Sequence, residues 1–179
     1  MLDEAREPSK VVADILQSEM ELDDDHCLLG DQKWDIPTDR ALFVAIFDDL
    51  PRPIGMSVKM DTSVDPPAEI QQIVCLHDIR IEIMSFDHSA RIRKEEIGLA
   101  LASFSAQQHM EKNNCQIGLI QPPLNASMTE ETARLLKYVI HVNVTALHTK
   151  TKPGMPYFDK FNGARVDGTA KPPEVIENA

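Results

Sequence analysis

The sequence predicts an α+β domain: an antiparallel or mixed β-sheet with a long helix packed on one face, a projecting β-hairpin and an extended C-terminal tail. Three observations carry this. From Glu69 to Asp87, residues Ile73, Cys75, Ile79, Ile81 and Ile83 share one parity, while Gln72, Asp78, Arg80 and Glu82 share the other. That is the period-2 signature of a strand in a sheet with one wet face. From His88 to Lys112 the period lengthens, and Ile97, Leu101, Phe104 and Gln108, with Ala100 beside them, form one stripe of a helix. Arg91, Arg93, Lys94, Glu95 and Glu111 decorate its remainder. From Leu135 to Thr149 the alternation returns, with Leu136, Tyr138, Ile140, Val142, Val144 and Ala146 opposed to Lys137, His141, Asn143 and Thr145. No such element can bury its apolar face alone, so the helix is expected to fold back on the sheet of its own strand.

In chain order, Pro8 and Ser9 start a short helix, Lys10 to about Met20, with Val11, Val12, Ile15 and Leu16 on one stripe. The run ELDDDH that follows reads as a solvated loop. Trp34, Ile36 and Pro37 form an extended lead-in to Ala41–Phe47, whose unbroken apolar run predicts a strand covered on both faces. The prolines of Asp48–Pro53 interrupt it. Ile54–Met60 resumes as a strand, the paired prolines after Asp65 turn the chain, and a hairpin with the long strand results. Eighteen strand residues reach ~60 Å, whereas a chain of this length folds to a diameter on the order of 40 Å. Either that strand is broken or bulged, or the hairpin end near residues 60–72 projects beyond the body.

Asn113 and Asn114 are suited to end the long helix. Cys115–Ile120 reads as a short strand and QPPLNAS as a loop. Ser127 and Glu130 have the spacing of a capping box opening a single helical turn. Beyond Thr149 the sequence is rich in proline and glycine and loses all periodicity, which predicts an extended tail without a core of its own. Its aromatic cluster, Tyr157, Phe158 and Phe161, reads as an anchor that docks on a surface. The chain thus divides into an acidic N-terminal helix and loop (1–33), an α+β domain (34–149) and the tail (150–179).

Composition narrows the function. Aromatics at 5% against 42% hydrophobic residues imply an aliphatic, Met-rich core. A net charge of −11 disfavours a grip on phosphate backbones, which needs clustered Lys and Arg. Residues 1–40 hold −8 of that charge. Three cysteines without paired spacing fit a reducing compartment. The charged N-terminus has no apolar signal region, and the longest apolar run, Ala41–Phe47, is far below the ~20 residues that span a bilayer. A soluble protein made in a cytoplasm, with no membrane partner, is expected.

Candidate chemistry is sparse. Cys75 and His77 share a strand face, but no CxxC or HxxxH spacing supplies further ligands; they read as a core thiol and a hydrogen-bonded imidazole. Asp78 and Glu82, with Asp48 and Asp49 upstream, could serve a metal-dependent nuclease, yet the lysine that usually completes such a set is missing. Arg80 lies between them on the same face, so a cross-strand ion-pair ladder accounts for all three. The histidines share no spacing, and no GxSxG, GxxxxGK or GxGxxG run occurs. No catalytic residue, metal ligand or cofactor is assigned, and no enzyme is expected.

The order of features resembles the neck or tail-terminator proteins of tailed bacteriophages over residues 34–161. EIQQIVCLHDIRIEIMSFD leads into RIRKEEIGLALASFSAQQHMEKNNCQIGLI, then a Pro-containing loop, ARLLKYVIHVNVTALHTKTK and YFDKF. The acidic residues 1–40 match nothing in that family. The resemblance implies a virion protein assembled in the host cytoplasm into a ring, commonly a hexamer. Such a ring lies at the head–tail junction, between a head connector or adaptor above and a tail tube or sheath below. It ends tail polymerisation and leaves a channel through which DNA passes without specific binding. Ring closure would pair sheet edges that otherwise aggregate. Acidic side chains facing the channel would repel phosphates over ~8 Å. Asp61, Asp65 and Glu69 on the hairpin, and Tyr157, Phe158 and Phe161 in the tail, are the expected interface residues. Two other classes fit the sequence: a small metal-dependent nuclease using Asp78 and Glu82, and a soluble adaptor that binds a partner through the tail aromatics.

Overall fold

The computed structural model describes residues 7–30, 42–64, 67–130 and 133–152. Its elements run α1 (Pro8–Glu19), a 3-10 turn (Asp24–His26), β1 (Cys27–Leu29), β2 (Phe43–Asp48), β3 (Arg52–Asp61), β4 (Ala68–Ser85), α2 (Ser89–Arg93), α3 (Glu96–Leu101), α4 (Phe104–Lys112), β5 (Cys115–Ile120), β6 (Leu124–Asn125), β7 (Met128–Glu130) and β8 (Ala133–Lys152). β4 and β8 are the spine. They pair antiparallel without a register slip from Glu69 opposite Lys152 to Ser85 opposite Leu136. The long strand is therefore unbroken, as one branch of the length argument requires.

Along its other edge β4 carries two strands end to end. β3 pairs with its first half, from Asp61 opposite Ala68 to Arg52 opposite Leu76, and β2 with its second half, from Asp48 opposite Ile79 to Phe43 opposite Met84. β1 extends the sheet in parallel beyond β2, while β5, β6 and β7 lie antiparallel along β8. The result is a mixed sheet in an α+β fold.

The core lies on one face of the inner half. Ile79, Ile81 and Ile83 of β4, Val44 and Ile46 of β2 and the expected parity of β8 meet Val11, Leu16, Ile97, Leu101 and Met110 from the helices. Full burial of an isoleucine contributes ~1.5–3 kcal/mol, so β4's three central isoleucines alone anchor the layer pair. α1 forms because Pro8 pre-sets the first turn and its stripe finds this core. β2 is buried on both faces, as its continuous run predicts; Phe43 and Ala45 pack with Met84 on the side away from the helices. Among the described residues, no helix is long and apolar enough to cross a membrane.

Three expectations are corrected. The long helix is three short ones. Turns at Lys94–Glu95 and at Ala102–Ser103 interrupt it. Ser103 leaves helical geometry at φ −65°, ψ 157°, and its hydroxyl oxygen accepts the Ala106 N–H, so it caps a new helix. The restart shifts the inward phase: Ala106 and Met110 are buried, whereas Phe104 is 73% exposed and Gln108 also faces water. The capping box at Ser127 does not form either. The Ser127 hydroxyl accepts the Lys137 N–H at 3.1 Å, and Met128–Glu130 pairs with the start of β8 as a strand. Asn125 accepts the Ser127 N–H at 3.1 Å and its hydroxyl hydrogen at 2.6 Å, a local turn that competes with helix initiation. Finally, β8 continues past Thr149 to Lys152, because Glu69 and Ile70 still offer ladder partners. Asn114, at φ 54°, ends α4 in the left-handed region as expected. In ELDDDH the acids are exposed on the 3-10 turn while His26 is buried. Trp34, Ile36 and Pro37 lie outside the described residues, as do residues 153–179.

Candidate subunit interface

Where β2 stops, the sheet narrows to an arm made of β3, the first half of β4 and the end of β8. β3 has β4 as its sole ladder partner, so its outer edge presents unpaired backbone groups. On the opposite side β5 stops pairing at Ala146, and residues 149–152 of β8 pair with β4 alone among the described residues. The arm is open along both edges.

β3 is exposed from Arg52 to Met60. Met56 lies opposite Ile73, Val58 opposite Gln71 and Met60 opposite Glu69. Facing residues share a sheet face, so this stripe continues the face that the helices cover farther along. Here it remains uncovered: Met56 is 79% exposed, Val58 62% and Met60 45%, with Ile54 at 60% in the bulge between Pro53 and Gly55. A long apolar edge strand is a template for pairing with another chain. Lys59 and the bulge blunt it only in part.

Of the interface residues expected from the sequence, two lie on this arm. Asp61 ends β3, and its carboxylate accepts the Ser63 hydroxyl hydrogen at 2.6 Å and the Ser63 N–H at 3.0 Å. Those bonds hold its carboxyl below the usual range, and they make it a turn-shaping residue. Glu69 accepts from Gln71 at 2.6 Å and faces the Lys152 ammonium at 3.8 Å. Asp65, Tyr157, Phe158 and Phe161 lie outside the described residues. The stripe Met56, Val58 and Met60 was not anticipated. Its signal was available in the alternation of Ile54, Met56, Val58 and Met60 with Gly55, Ser57 and Lys59.

The charged face of β4 is the ladder that parity predicts, enlarged by β8. Glu82, 5% exposed, takes the Arg80 guanidinium at 3.2 Å on one oxygen and the Lys137 ammonium at 2.7 Å on the other. Asp78 meets His141 Nδ1 at 3.3 Å. The Arg80 guanidinium also lies 4.3 Å from the centre of the Phe47 ring.

His77 is hydrogen-bonded as expected, its Nδ1 3.0 Å from the Asp48 carboxylate. All three cysteines are free thiols. The Cys27 thiol donates to the Ala13 carbonyl at 3.5 Å; burial, with the Asp14 charge second, pushes it up to about 12. Burial also raises the Cys115 thiol. Asp23, Asp25 and His26 bring donor atoms within 4.8 Å of one another, but the two acids are solvated on their turn. No protein-family model matches the chain, and no curated protein matches it.

Proposed function

We propose that this chain is a self-assembling structural protein of the tailed-phage neck, a ring subunit that ends the tail and joins it to the head connector. The observation that carries the reading is the arm: a ten-residue edge strand with an open backbone edge and an uncovered apolar stripe. Pairing with a neighbouring copy would satisfy that edge, and repetition around a closed ring removes free edges. The order of strands and helices seen in the sequence, which resembles neck and tail-terminator proteins, supplies the setting. In it the ring, a hexamer by that resemblance, contacts a connector above and a tail tube or sheath below. The acidic balance of the chain supports a channel that DNA crosses without sticking. A nuclease reading draws no support from Asp78 and Glu82, since each is engaged by a basic side chain.

Negative-stain microscopy and sedimentation of the purified full chain test this. Rings of closed symmetry, or capture of a tail tube or connector component, are the expected result. A chain that stays monomeric at every accessible concentration and binds neither kind of component would refute it.

A further inference from the structure

We propose that His77, His148 and Cys75 form a binding site for a divalent transition-metal ion of the zinc class, at the root of the arm. The inference rests on other residues than the ring reading and stands independently of it.

The three residues share the helix-side face of the sheet. Cys75 lies opposite Ala146, His77 opposite Val144 and His148 opposite Ile73, so the two histidines flank the Cys75–Ala146 row from either end. The small side chains of that row leave room above it. The imidazoles lean into this space, with ring centres 6.3 Å apart, although their register positions are two rungs removed from each other.

His77 supplies the chemical argument. It is 5% exposed, and its Nδ1 is held 3.0 Å from the Asp48 carboxylate. Asp48 belongs to β2, across β4 from β8. The second nitrogen, Nε2, therefore faces the β8 side, from which His148 approaches. Nε2 is buried and has no hydrogen-bond partner, and a buried polar atom left in that state requires an explanation. A carboxylate that accepts from Nδ1–H fixes the tautomer in which Nε2 carries a lone pair. Metal-binding histidines are built this way, with the carboxylate behind the ring and the free nitrogen toward the ion.

Distances are compatible. With Zn–N bonds of ~2.1 Å, two imidazoles on one tetrahedral ion bring their ring centres to roughly 5 Å. The observed 6.3 Å needs a closure of about 1 Å, which a rotamer adjustment of the half-buried His148 can deliver. Cys75, a half-buried free thiol between them, adds a soft ligand that favours zinc-class ions over magnesium or calcium. Binding releases its proton. The fourth position falls to water, and the ion would tie β4 to β8 where the arm leaves the body.

Cobalt(II) titration of the reduced, chelator-treated full chain tests the site. One equivalent should bind with a thiolate-to-cobalt absorption band that zinc displaces. Asp48→Asn should weaken binding about tenfold or more, and His77→Ala more strongly. Cys75→Ser should abolish the band, whereas His26→Ala, on the solvated acidic turn, should change nothing. Because loss of the buried His77 risks misfolding, His148→Ala provides the independent check: its far-ultraviolet circular dichroism should match the parent while affinity falls. Absence of the band at excess cobalt would overturn the proposal, as would a band that survives Cys75→Ser or affinity unchanged in a folded His148→Ala.

Discussion

Replacing Met56 and Val58 together by lysine should dissolve the assembly while leaving the subunit folded. The two side chains are 79% and 62% exposed in the isolated subunit. Full burial of such a side chain contributes ~1.5–3 kcal/mol, so covering the exposed remainders at an interface contributes roughly 2–4 kcal/mol. Losing that term weakens each contact by roughly 30- to 1,000-fold, before the cost of desolvating two ammonium groups is added. Within the subunit the same change is mild. Val58 lies opposite Gln71 and diagonal to Glu69 on one face, so a lysine there meets an acceptor and a carboxylate. Substitution at exposed sites shifts stability by about 0.5 kcal/mol or less each, which lowers the melting temperature by only a few degrees. Sedimentation velocity across a concentration series reads the association, and urea denaturation of the same samples reads the fold. Unchanged association in the double variant would refute the reasoning. So would a loss of several kcal/mol in the dissociated subunit, because the stripe would then be part of its own core.

Three further outcomes follow from other parts of the molecule. Gly30→Ala places a Cβ 2.0 Å from the nearest Phe47 ring carbon, so the ring must leave its place beside Arg80; urea titration should show a loss of about 1–3 kcal/mol. Glu82→Ala strips both Arg80 and Lys137 of their shared carboxylate. Both cations reach water in part, so the loss should be about 2 kcal/mol, below that of a fully buried pair, and Lys137→Met should cost less because Arg80 still faces Glu82. The folded chain holds the Cys27 proton up to about 12 while the ordinary thiol releases it near 9.0. The folded state therefore binds more protons across that window, and stability should fall as pH rises through it. Cys27→Ala should flatten that part of the profile, and at pH 8 Cys27 should alkylate more slowly than Cys75.

The legible part of this fold is the part set by local period. Ile79, Ile81 and Ile83 declare their face because a strand alternates whatever lies above it, and β8 declares its face in the same way. The stripe Val11, Val12, Ile15 and Leu16 likewise marks the buried side of α1. The ladder of Asp78, Arg80 and Glu82 was readable for the same reason, although its β8 members were not.

Tertiary structure decided the remainder. Ile97, Leu101, Phe104 and Gln108 are consistent with one helix, and only the Ser103 cap with the burial of Ala106 and Met110 shows that the phase is reset. Whether Met56 and Val58 are core or surface depends on what the rest of the chain leaves uncovered, which no local pattern records. The Asp48–His77 contact joins residues 29 apart and exists only because β2 ends beside β4. By itself the sequence determined the α+β class, the hairpin, both long strands and the identity of their buried faces. Only the tertiary structure decided where cover runs out, which edges stay open and which buried nitrogen lacks a partner. Periodicity encodes the faces of single elements; exposure, edges and long-range polar contacts are relations between elements.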